Sequence, residues 1–115
     1  MKILVIADVH GNSDGLAAVL EAESDADRTI FLGDAVLPGP QPNETIAQFS
    51  DMPPGTWISG NHDEEMIHPE IFANFPAPWL AFYNWVLENF DDDGGRAPLT
   101  HFTAQKIDDD GCAIH

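Results

Sequence analysis

Basic residues are scarce in this chain: 4 Lys and Arg stand against 20 Asp and Glu, a formal net charge of −16. That excludes an electrostatic footing on nucleic acid or on an anionic membrane. It would also repel an anionic phosphate ester, unless bound cations reverse the sign locally. Salt screens such a charge, so the composition points to a high-salt, halophilic cytoplasm. Cysteine is nearly absent. Cys112 stands alone, which excludes an intrachain disulfide and fits a reducing compartment. With no pKa-lowering neighbour it reads as a small buried residue rather than a nucleophile. Long hydrophobic runs are missing too. Only five apolar residues separate Lys2 from Asp8, too few for a signal-peptide core or a membrane span. A soluble, cytoplasmic protein is expected. No internal repeat and no linker divides the 115 residues, so one domain is expected over 1–115.

What is present favours a folded core: 43% of residues are hydrophobic and 10% aromatic. Ile3 to Ala7 is a short run of branched apolar residues, which predicts a strand buried on both faces. Asn12 and Ser13 are capping residues for a helix to about Glu23, with Leu16, Val19 and Leu20 on one face. Thr29 to Leu32 reads as a second strand, Asn43 to Phe49 as a short helix and Thr56 to Ser59 as a third strand. The order β-α-β-α-β predicts a parallel sheet with right-handed crossovers. Farther on, Pro78 to Phe90 reads as a helix with Trp79, Phe82, Trp85 and Val86 on one stripe, core-facing, although without a second sheet Trp79, Phe82 and Trp85 would form an exposed patch. The acidic segments 91–93 and 108–110 lack the spacing of a calcium loop and read as solvated turns. His68 reads as a solvated loop residue and His101 as a surface or strand-pairing residue.

The chemistry lies at the strand ends. Strand one runs into Asp8-Val9-His10, strand two into Gly33-Asp34 and strand three into Gly60-Asn61-His62-Asp63. In a parallel sheet all carboxyl ends share one edge, and ligands bind in the crevice outside it. Asp8, His10, Asp34, Asn61 and His62 are therefore expected to converge. Carboxylates, imidazole and an amide oxygen together suit Mn²⁺, Fe or Zn²⁺ better than Mg²⁺ or Ca²⁺. A carboxylate shared between two such ions would build a two-metal site for phosphoryl displacement.

These blocks, D8-V-H10, G33-D34 and G60-N61-H62-D63, resemble the first three motifs of the calcineurin-like metallophosphoesterases, in order and with similar spacing. The stretch from Phe31 to Glu44 is similar to the small prokaryotic phosphodiesterase branch. The resemblance covers residues 1 to about 65. It implies an α/β fold: the parallel βαβαβ half of a metallophosphoesterase-type α/β/β/α sandwich, incomplete in this chain. It implies two divalent metal ions (Mn, Fe or Zn) as cofactors, and a phosphate ester, diester or monoester, as substrate. Hydrolysis would proceed by in-line attack of a metal-activated hydroxide. Asp8 and His10 would hold the first metal, Asp34 would bridge both and Asn61 would hold the second. His62 would act on the substrate rather than ligate, with Asp63 orienting it.

The family pattern also needs three later His residues, two of them in a Gly-His-x-His block that does not occur here. His115, after the short run Cys112-Ala113-Ile114, is the candidate for the strand-end His ligand. Three classes therefore stay open. One is a metal-dependent phosphoesterase. The second is a truncated, catalytically incompetent fragment that binds one divalent ion. The third is an oligomerising module that self-associates through an uncovered sheet edge.

Overall fold

A computed structural model describes residues 1–91, 97–99, 101–108 and 111–114. His115, residues 92–93 of the first acidic segment, residues 109–110 of the second and the side chain of Cys112 lie outside what is described. Strands β1 (Ile3–Ile6), β2 (Arg28–Phe31) and β3 (Gly55–Trp57) form one parallel sheet in the order β1-β2-β3. Helices α1 (Ser13–Ala22) and α2 (Pro42–Gln48) make the two crossovers, so the βαβαβ reading holds. Asn12 caps α1 as expected, its side chain accepting from the amide of Gly15 at 2.9 Å. Asn43 does not cap α2. It lies inside the first turn, and its amide bridges the carbonyl of Asn89 and the amide of Asp91.

The second half carries more regular structure than its sequence suggests. Helix α3 (Asn61–Ile67) starts directly at the third strand-end motif, and a 3-10 segment, Pro69–Asn74, leads to α4 (Ala77–Glu88). A short turn of helix, α5 (Ala97–Leu99), precedes an antiparallel pair, β4 (Gln105–Asp108) with β5 (Gly111–Ile114). Nothing local marks β4 as a strand, since its four residues have a weak pattern and run into an acidic stretch. The Asp-Asp-Gly stretch was in fact a hairpin signal.

Two burial expectations are corrected. β1 is buried on one face only: Leu4 is buried, whereas Val5 is 56% exposed and Ile3 nearly as open. Strand order puts β1 at a sheet edge, and an all-apolar run cannot reveal that one of its faces stays open. On α4, Trp79, Phe82 and Trp85 are exposed, while Tyr83, Val86 and the following Phe90 are buried. Only Val86 of the expected stripe faces inward. The helix is apolar nearly all round, so no polar face marks which side is out.

The core lies among the loop after β2, α2, α3, the 3-10 segment and α4. Phe31, Val36, Leu37, Ile46, Met66 and Val86 form its centre. This matters for the site, because Ala35, Val36 and Leu37, which follow Asp34, are completely buried and anchor its loop. Among the described residues no helix is long and apolar enough to cross a membrane.

Candidate metal centre

The loops after β1 and β2 are stitched together by backbone. The amides of Asp8, His10 and Gly11 donate to the carbonyls of Gly33, Asp34 and Ala35 at 3.0, 3.0 and 2.9 Å. This extends the ladder past the strand ends and sets Asp8, His10 and Asp34 side by side. All three have left-handed backbones, with φ of +55°, +49° and +61°. Such a φ is uncommon outside glycine, although Asp and His tolerate it better than most residues. Three in one cluster point to a site whose shape is held against local preference by the surrounding packing.

One donor atom from each of Asp8, His10 and Asp34 falls within 4.8 Å of the others. His10 Nε2 lies 3.6 Å from an Asp8 oxygen and 4.0 Å from an Asp34 oxygen. These separations are too long for hydrogen bonds but suit neighbouring ligands of one cation. The other ring nitrogen of His10, Nδ1, donates to the carbonyl of Leu37. A carbonyl only accepts, so the proton is on Nδ1 and the lone pair of Nε2 faces the carboxylates. That is the arrangement a metal-ligating histidine requires. Asp34 is buried, His10 is partly buried and Asp8 is open, so the cluster faces solvent along the Asp8 side.

The loop after β3 closes onto Asp34. The amide of His62 donates to Asp34 Oδ1 at 3.0 Å. Gly60 passes so close that a Cβ there would lie 2.2 Å from the same oxygen, so no side chain fits. Gly39 is pressed against the carbonyl of His10, where a Cβ would approach to 1.7 Å. Asn61 is the first residue of α3, next to the His62 amide that binds Asp34, and it is exposed. The ring of His62 stands edge-on to that of His10, with centroids 5.5 Å apart. Asp8, His10, Asp34 and His62 therefore converge as expected, with Asn61 on the same loop. His68 and His101 are exposed and stand outside the cluster.

Asp63 does not orient His62. Its fully buried carboxylate accepts from the backbone amides of Asp34, Ala35 and Gly60 at 2.7, 2.8 and 2.9 Å. Burial pushes its carboxyl above the usual carboxylate range, against the pull of those three donors. The partner of His62 is Glu65, whose carboxylate lies 2.7 Å from His62 Nδ1. The hydroxyl of Tyr83 lies 3.4 Å from the same nitrogen. Burial, with the nearby charges of Glu65 and Asp34, pushes its phenol up. Neither Glu65 nor Tyr83 was singled out from sequence. His62 and Glu65 stand three apart on one helix, a signal that becomes visible only once α3 is recognised.

A groove of about 610 Å³ lined by Ile46, Phe49, Trp57, Pro98 and Phe102 includes none of these site residues. The ligand chemistry and this concavity lie in different places.

The family profile described as calcineurin-like phosphoesterase matches residues 1–109. No curated protein matches the chain. Among solved structures it is similar to a metallophosphoesterase from Sphaerobacter thermophilus, with 28% identity and a TM-score of 0.74 over 94% of this chain. It also shares its fold with a hypothetical protein from Pyrococcus horikoshii, with 21% identity and a TM-score of 0.76 over 92% of this chain. It spans 44% and 49% of the length of those two chains.

Proposed function

Given that the chain belongs to the calcineurin-like phosphoesterase family, we propose that it hydrolyses phosphate esters, diester or monoester, with divalent cations held by Asp8, His10, Asp34 and Asn61. The observation that carries this reading is the meeting of three ligand atoms within 4.8 Å, with the His10 lone pair turned toward two carboxylates. The donor set fits a cation of the Mn, Fe or Zn type. When bound, such cations would offset phosphate charge and acidify a water. They would also answer the repulsion that a net charge of −16 otherwise presents to an anionic substrate.

Within this reading Asp8 and His10 would hold one cation, Asp34 would be shared with a second, and Asn61 would serve the second through its side-chain oxygen. His115 is assigned as a further ligand. His62 does not ligate: it offers its free ring nitrogen to the phosphoryl or leaving-group oxygen. Asp34 is buried and its Oδ1 already accepts the His62 amide, so it orients the loop that brings His62 to the substrate.

The test is turnover of bis(p-nitrophenyl) phosphate with Mn²⁺, Fe²⁺ or Zn²⁺, alongside metal content. Asp34→Asn is expected to abolish metal-dependent hydrolysis, and His62→Ala to lower turnover with metal content near normal. Undiminished activity in Asp34→Asn would remove the assignment. Among the described residues one His/Asp cluster meets ligand spacing, which favours a second reading: one bound cation without turnover. A stoichiometry of one ion per chain and no hydrolysis would select it.

A further inference from the structure

We propose that Glu65 is the positioning residue of His62, fixing which ring nitrogen carries the proton and where the other one points. The inference rests on the phosphoesterase reading for its effect on turnover, but not for its effect on the ring.

Two constraints hold His62. Its backbone amide is tied to Asp34 Oδ1 at 3.0 Å, and its Nδ1 lies 2.7 Å from Glu65 Oε2. Both partners are largely buried, with Glu65 only 9% exposed. A carboxylate oxygen accepts, so Nδ1 is the donor and Nε2 carries the lone pair. The Tyr83 hydroxyl, at 3.4 Å, makes the longer and weaker contact with Nδ1. The Tyr83 ring, with centroid 6.1 Å from that of His62, forms a wall. Asp63 is committed to three backbone amides, and Asp34 meets His62 at its backbone amide. A carboxylate behind a histidine orients the ring and stabilises positive charge on it, the same logic that operates behind catalytic and ligating histidines elsewhere.

The experiment uses the full chain. Glu65→Ala is expected to lower kcat by about 10–100-fold, the usual loss when such a partner is removed, with KM little changed. Glu65→Gln keeps an accepting oxygen but not the charge, so it recovers only part of that loss. Glu65→Asp withdraws the carboxylate by one carbon–carbon bond, ~1.5 Å, and behaves like Glu65→Ala. In a His62→Ala background, Glu65→Ala adds nothing further, because the two act as one unit. A merely structural role would instead add its loss to that of His62→Ala, and this result would overturn the proposal. A second readout needs no activity: ¹⁵N-resolved imidazole spectra of the metal-free chain should show His62 as the Nδ1–H tautomer. In Glu65→Ala, and in Glu65→Asp should the first variant not fold, that population should shift toward Nε2–H. An unchanged tautomer overturns the proposal even if hydrolysis is seen. A shifted tautomer in a chain without hydrolysis sustains it while the phosphoesterase reading falls.

Discussion

Asp63 accepts from three backbone amides with its side chain wholly buried, so its removal would strand three donors inside the protein. Water entering the gap would recover part of the loss. Asp63→Ala is therefore expected to cost about 3 kcal/mol of stability, near the upper end for unpaired buried groups. Asp63→Asn can still serve Asp34 and Gly60 through one oxygen, and turns its NH₂ toward the Ala35 amide, so ~1 kcal/mol is expected. Urea denaturation of the two variants checks the order; equal and small losses would contradict this account of Asp63. His62 and Glu65 illustrate a different kind of legibility. The histidine stood out in the sequence because it follows Gly60-Asn61 at a strand end, whereas nothing local distinguishes Glu65 from Glu64 beside it. Glu65 is chosen by the pitch of α3, which puts residues three apart on one face.

Elements show the same division. The strands β1 to β3 were predicted within one or two residues, since short branched runs ended by Gly or Asp leave few alternatives. The facing of α4 was not, because Trp79, Phe82, Trp85 and Tyr83, Val86, Phe90 are comparably apolar sets on neighbouring sides of the same helix and its end. The structure predicts that Val86→Ala, which empties a completely buried site, costs about 2 kcal/mol. Trp79→Ser, at a position 58% exposed, should cost less than about 1 kcal/mol. Thermal melts of both variants decide it, and the reverse order would restore the stripe expected from sequence. The left-handed Asp8, His10 and Asp34 likewise belong to junctions between elements, where tertiary hydrogen bonds override local preference.

For the protein as one body, cation binding and folding are linked. The cluster brings Asp8 and Asp34 near each other in a chain already carrying −16, and their repulsion is relieved when a cation binds. Mn²⁺ or Zn²⁺ at one hundred times its Kd is expected to stabilise the fold by about 2.7 kcal/mol, as for any ligand that binds only the native state. Differential scanning calorimetry with and without EDTA measures it. Asp8→Asn should shrink the shift, and an equal shift in that variant would place the ion elsewhere.

The order of the first three strands and the two helices between them, the acidity and the three strand-end motifs were settled by the residues alone, because each follows from local pattern or from counting charges. That Asp8, His10, Asp34 and His62 share one rim also followed, from the rule that parallel strands end on a common edge. Which carboxylate serves the backbone and which serves His62, which face of β1 stays open and which side of α4 turns inward were decided by packing. Those choices lie between residues of the same chemical type, which stay equivalent until the helices are formed and packed.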